Sequence, residues 1–254
     1  MAPCALITGA SSGLGAEFAR QIAARGAGLV LVAPDEGPLE DVAAGLRARF
    51  GVEVEVLVVD LRVPAEREMV VRRLLDAGRP IDVLTNNAGY GLPLGFERNE
   101  IEDEAGHLAV HVEAPMRLTH AALRPMLARG SGRIINVASV AAFTPWGTYG
   151  AVKAWVVSFS RWANVRYARR GVTVTAVCPG FVHTKFQERL GMPPGEEGIP
   201  GVLWLSAADV VRQGLRDAAR GRAVSIPSAR YKLLLGLSRL VPMSLLARFG
   251  GTRI

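Results

Sequence analysis

The chain has 254 residues, half of them hydrophobic and 21% charged, which suits a packed α/β domain and excludes a disordered or low-complexity protein. The net charge is +7, yet Lys occurs only at 153, 185 and 232, so nearly all of the 30 basic residues are Arg, spread through helical patterns among Asp and Glu. No aromatic-interleaved basic stripe, helix-turn-helix or zinc-finger spacing is present, so the charge reads as a solvated surface, and neither a nucleic-acid partner nor a metal site is expected.

In chain order, apolar runs predict strands at Cys4–Thr8, Leu29–Ala33, Val52–Val59, Val83–Thr85, Arg133–Ala138, Val172–Cys178 and Ala223–Ile226. Most are solidly apolar, as parallel strands covered on both faces are. In Val52–Val59 the acidic Glu53 and Glu55 alternate with valines, so its early half is expected to reach solvent. Helical patterns lie between the strands. One opens at Gly13, and the next has Pro38 at its first position with Glu40 and Asp41 in its first turn. Others follow Pro64, cover Ile101–Leu127, run from Tyr149 to Arg170, and start near Ala207.

This alternation, behind a glycine-rich first turn, predicts a single-domain, Rossmann-like α/β fold over residues 1–254, a doubly wound parallel sheet with helices on both faces. Residues 186–206, rich in Gly and Pro, are expected to form a substrate lid. Residues 228–254 form a basic, leucine-rich C-terminal extension. It is expected to pack on the domain or a subunit partner, with peripheral contact to an anionic membrane as the alternative. The two cysteines, Cys4 and Cys178, fall in predicted buried strands. The first residues lead into a strand without a signal-peptide pattern, and no apolar run is long enough to span a bilayer. A reducing, cytoplasmic location is the expectation.

Three segments carry chemistry. The first strand ends in Thr8-Gly9-Ala10-Ser11-Ser12-Gly13-Leu14-Gly15, where glycines let the backbone turn, approach a pyrophosphate and open a helix whose free N–H groups bind it. Asn86-Asn87-Ala88-Gly89 follows strand four. Ser139 ends strand five, and Tyr149 and Lys153 open the next helix. Residues four apart share a helix face, so the Lys ammonium is expected to favour the Tyr phenolate and let it exchange a proton near neutral pH. Ser139 can hydrogen-bond a substrate oxygen as charge develops on it.

From about residue 3 to 185 the sequence resembles the short-chain dehydrogenase/reductase family, with its Thr-Gly-x-x-x-Gly-x-Gly and Tyr-x-x-x-Lys motifs. The resemblance implies hydride transfer between NAD or NADP and a carbonyl or secondary alcohol, such as an acyl-chain or steroid-like ketone, by a homodimer or homotetramer. It implies Tyr149 as general acid/base, Lys153 as the group that lowers its pKa and holds the nicotinamide ribose, and Ser139 as the group orienting the carbonyl. It assigns the glycine turn, with Ser11, Ser12 and Leu14, to the cofactor. Asp60 and Leu61 would lie at the adenine, and Asn87, Ala88 and Gly89 along the cofactor. Pro179, Gly180, Val182 and Thr184 would line the nicotinamide.

The sequence departs from the family in three places. The Ser139-to-Tyr149 interval is short, so the pocket mouth should differ. Pro34 stands where many NADP-using members have Arg, and Asp35 either accepts a ribose 2′-hydroxyl of NAD or only starts a helix. His111 stands where the family has a catalytic Asn, linked there to a water that joins the active-site Lys to solvent. Because Pro115 has no N–H for the carbonyl four residues back, the expectation is that this main-chain carbonyl carries the relay. A catalytically weak nucleotide-binding sensor or scaffold is the alternative from another class.

Overall fold

The computed structural model describes residues 2–92, 95–184 and 200–238. Seven parallel strands form one sheet: β1 (Cys4–Thr8), β2 (Gly28–Ala33), β3 (Val54–Val58), β4 (Val83–Asn86), β5 (Gly132–Val137), β6 (Val172–Val177) and β7 (Val224–Ser225). Their order is β3-β2-β1-β4-β5-β6-β7, so the chain winds outward from β1 to one edge, then from β4 to the other. That reversal opens a crevice at the carboxyl ends of β1 and β4, where open α/β sheets bind ligands.

Eight α-helices are described: α1 (Gly13–Ala23), α2 (Glu36–Phe50), α3 (Pro64–Leu75), α4 (Ile101–Leu108), α5 (Ala114–Ala128), α6 (Gly147–Tyr167), α7 (Ala207–Ala219) and α8 (Ala229–Ser238). The strand period of two sorts the core. Ala5 and Ile7 of β1 join Phe18, Leu39 and Leu215 on the face covered by α1, α2 and α7. Leu6, between them, joins Val70, Leu118 and Ala163 on the face covered by α3, α5 and α6.

The observed strands match the sequence reading to within two residues at each end. β3 is an edge strand, which explains the glutamates: Glu55 sits in solvent reach and pairs with Arg73 and Arg79. Three expectations are corrected. Pro38 is the third residue of α2, because the helix starts at Glu36; the first-turn N–H groups have no intrahelical acceptor, so a proline there costs no bond. Cys4 is only half-buried, because it starts β1 at the sheet's amino edge. The stretch Ile101–Leu127 is not one regular helix. A π-helical turn spans Ala109–Glu113, where the N–H of Ala114 bonds the carbonyl of Ala109, five residues back. The lid expected at 186–206 lies outside the described residues up to 199, and the extension likewise beyond 238. No described helix is long and apolar enough to cross a membrane.

Candidate active site

A cavity of about 970 Å³ opens at the β1/β4 crevice. Its first wall is the glycine turn. Gly9 and Gly13 take left-handed φ values of +64° and +56°, which turn the chain from β1 into α1. α1 has no acidic residue in its first turn and no side-chain cap on its N–H groups. Its opening residues Gly13 and Leu14 line the cavity with Gly9, Ser11 and Ser12, a cradle that fits a pyrophosphate.

Two residues expected at the cofactor do not line the cavity but brace it. The Thr8 hydroxyl accepts the N–H groups of Asn87 and Ala88, both at 3.0 Å. Gly15 is buried, and a Cβ there would lie 2.1 Å from the Gly9 carbonyl oxygen, so it serves the close approach of α1 to the turn. Asn87 braces and lines together: its Nδ2 donates to the carbonyls of Thr8 and Gly9 at 3.0 and 3.2 Å, and it borders the cavity beside Ala88 and Gly89.

Pro34 and Asp35 line the next stretch, and the Asp35 side chain makes no cap to α2. Asp60 and Leu61 follow from β3. The Asp60 carboxylate accepts from the Arg62 backbone N–H at 2.8 Å and from its guanidinium at 2.6–3.1 Å. That hydrogen bonding holds its carboxyl below the usual range.

At the other end, Ser139, Tyr149 and Lys153 meet on the cavity wall. Ser139 follows β5 in extended conformation; its Oγ accepts the Ala141 N–H at 3.1 Å and is hydrogen-bonded to Tyr149. Tyr149 stands in the first turn of α6 and Lys153 one turn on, with Nζ 5.6 Å from the Tyr149 ring centroid. Lys153 Nζ donates to the Val137 carbonyl at 2.8 Å. The electrostatics differ from the sequence expectation. Burial pushes the Tyr149 phenol up to about 12, and the Ser139 hydrogen bond opposes this only in part. Burial also brings Lys153 down to about 8. Desolvation dominates both shifts, so at neutral pH Tyr149 is the proton-bearing phenol.

His111 lies in the π-helical turn, buried behind Tyr149, with ring centroids 5.7 Å apart. Its Nε2 is 3.1 Å from the Tyr90 N–H and 2.8 Å from the Tyr90 carbonyl, so its tautomer selects one of the two. The backbone approach is possible because residue 89 is Gly; a Cβ there would meet the imidazole at 2.5 Å. Burial holds His111 well below the usual histidine range, so the ring is neutral. His107, one turn earlier and 4.3 Å away by centroids, is also buried with its value lowered by burial. Sequence reasoning missed His107, although its spacing of four from His111 was a readable sign.

Pro179, Gly180, Val182 and Thr184 line the cavity after β6. Phe96, Trp146, Phe181, Leu234 and Leu237 also line the cavity, a placement not read from the sequence. The leucines come from α8, so the start of the C-terminal extension faces the site. No cluster of three or more potential metal ligands exists among the described residues.

Comparison with known proteins adds four findings. The family model for short chain dehydrogenases matches residues 3–193. A 3-oxoacyl-[acyl-carrier-protein] reductase of Synechocystis is 33% identical over 202 residues, covering 78% of this chain and 82% of that protein. A short-chain dehydrogenase from Sphingobium yanoikuyae, solved with NADPH, is 35% identical, covers 94% of both chains and superposes with a TM-score of 0.84. A bulky-bulky ketone specific alcohol dehydrogenase from Comamonas testosteroni is 31% identical, covering 95% of this chain and 94% of that one, with a TM-score of 0.80.

Proposed function

The chain belongs to the short-chain dehydrogenase family, and from that premise we propose that Ser139, Tyr149 and Lys153 are its catalytic residues and that its substrate is a ketone with an apolar body. It is an oxidoreductase that uses NAD or NADP to interconvert a carbonyl and an alcohol. The observation that carries the residue assignment is convergence: three side chains, from the loop after β5 and from α6, share one cavity with the glycine turn after β1. The sensor or scaffold alternative, suggested by His111 and the short Ser139-to-Tyr149 interval, finds no support among the relatives.

The cradle from Gly9 to Leu14, with Asp35, Asp60, Leu61 and the Asn87–Gly89 stretch, would hold the dinucleotide. Pro179, Gly180, Val182 and Thr184 would flank its nicotinamide. When bound, the cofactor supplies or accepts the hydride. The protein supplies position and the proton. Ser139 Oγ orients the carbonyl oxygen, and the Tyr149 hydroxyl, held as a phenol by burial, donates its proton to the forming alkoxide. The buried Lys153 ammonium stabilises the tyrosinate left behind. The apolar wall at Phe96, Trp146 and Phe181 supports an acyl-chain or steroid-like ketone, in keeping with relatives named for oxoacyl and bulky ketone substrates.

A homodimer or homotetramer is the proposed assembly, supported by an apolar outer face on α5 and α6. The test is Tyr149→Phe, assayed with NADH and NADPH against a ketone panel. The change keeps the ring and removes the proton, so turnover should fall by about 10²–10⁴-fold with cofactor affinity retained. Near wild-type turnover would reject the assignment.

A further inference from the structure

The outer wall of the cavity is a helix that lies beyond the family's sequence motifs. α8 brings Leu234, Leu235 and Leu237 to the cavity that holds Ser139 and Tyr149. Leu234 and Leu237 are 46% and 53% exposed, so their hydrocarbon meets solvent unless something apolar covers it. The charged lining residues do not share this side. Among the described residues, Asp35, Asp60 and Arg62 follow β2 and β3, on the far side of β1 from β6, and Lys153 is buried at the catalytic end.

The seat of α8 is built around Tyr231. Its ring is buried against Gly180, where a Cβ would lie 2.0 Å from the ring carbon. Its hydroxyl accepts the Phe181 N–H at 3.1 Å and donates to the Leu203 carbonyl at 2.9 Å. Beside it, Arg230 Nη1 donates to the Val202 carbonyl at 2.7 Å. One side chain thus joins three segments: α8, the loop after β6, and the 3-10 turn Gly201–Leu203. The partners lie 50 and 28 residues away in sequence, so the junction exists only in the folded chain.

We propose that Tyr231 is a positioning residue for substrate selection: it seats α8 as the apolar wall of the substrate site and commits the enzyme to uncharged ketones with a large hydrocarbon body. This rests on the oxidoreductase reading of the same cavity. A long ketone covers Leu234 and Leu237 and gains from their removal from water; a short one at Tyr149 leaves them wet. Selection by length is the consequence, and it depends on the wall being held in place.

The experiment compares the full-length wild type with Tyr231→Phe and with the double variant Leu234→Ser/Leu237→Ser. Tyr231→Phe keeps the ring on Gly180 and removes both hydroxyl hydrogen bonds; the double variant leaves the Tyr231 seat intact and changes only the partly exposed wall. Two quantities are read: the ratio of kcat/KM for a long-chain alkyl ketone to that for a short one, and the Kd of the long ketone by calorimetry with cofactor present. Burial of about two methylene groups corresponds to about tenfold in binding, so both variants should lower the ratio and weaken the long ketone by about tenfold or more. A ratio and a Kd within about twofold of wild type in both variants overturn the proposal. A wild type that reduces neither ketone defeats the oxidoreductase reading instead, and the calorimetric comparison still decides whether α8 is the wall.

Discussion

Lys153 and Tyr149 divide the proton chemistry according to what burial does to each. Desolvation disfavours the charged form, so it raises the phenol to about 12 and lowers the ammonium to about 8. The Lys153 charge is therefore present below pH 8 and lost as pH rises through that value. Ketone reduction should hold level up to about pH 8 and then fall by about tenfold per unit, with no limb from Tyr149 in the accessible range. The neighbouring ionisable groups do not titrate there: Cys178 is pushed up to about 12, and His107 and His111 are lowered from a value already below 7. Lys153→Met should give low activity with the alkaline limb gone; a limb that persists in that variant belongs to another group. His111 bears on the same proton. Its neutral ring is tied to the Tyr90 backbone, which leaves the main chain of the π-helical turn as the candidate route. Pro115 has no N–H to offer the carbonyls of His111 or Val110, four and five residues back. His111→Asn should then change turnover little, while Pro115→Ala slows it by roughly tenfold by supplying a donor that competes for the carbonyl. Stopped-flow turnover of the two variants separates the cases: a large gain in His111→Asn with no effect in Pro115→Ala makes the side chain the limiting feature.

At the scale of elements, a buried polar ladder ties β4, β5, α5 and α6 together beneath the active site. Asn86 Nδ2 donates to Asn136 Oδ1 at 2.8 Å and to Thr119 Oγ1 at 3.2 Å, and Asn136 Nδ2 donates to Ser160 Oγ at 2.9 Å. Asn136 is 1% exposed, so water has no access to replace it, while Asn86 Nδ2 keeps Thr119 and Ser160 Oγ keeps the Val156 carbonyl at 2.7 Å. Asn136→Leu should cost roughly 1–3 kcal/mol by breaking two buried bonds, measured by denaturant unfolding. A cost under about 0.5 kcal/mol would mean that the apolar contacts of the new side chain replace the ladder fully. The ladder also marks what a sequence can reveal. The strands and the Tyr149–Lys153 pair were readable because apolar runs and a spacing of four are local patterns. Asn86 and Asn136 lie 50 residues apart, and only the β4–β5 register brings them opposite each other. Tyr231 was unreadable for the same reason. The π-helical turn was half-readable: Pro115 announced a break in the bond ladder, but the widened register before it depends on how α4 and α5 pack. The pKa directions needed burial, which no local pattern supplies.

At the scale of the whole molecule, the side of α6 opposite the cavity carries exposed apolar side chains. Trp155 stacks on Phe159 at 4.8 Å between ring centroids, and Phe159 leads on to Trp162 at 5.9 Å, a chain of rings along one helix. Trp162 is 56% exposed and Val165 81%, with Met116 of α5 at 42%. Large exposed apolar patches on soluble proteins mark contact surfaces, and a stable homodimer buries on the order of 1,200–2,000 Å² in total. A symmetric pairing of α5 and α6 with the same helices of a second copy would cover these residues and leave the cavity mouth free. Light scattering at micromolar concentration should return a dimer or tetramer for the wild type. Val165→Arg, fully outside the core, should shift that population to monomer without unfolding it, because a like-charged pair across a two-fold axis opposes association. A wild type that is monomeric throughout this range, or a Val165→Arg variant that assembles as the wild type does, removes α5 and α6 as the interface.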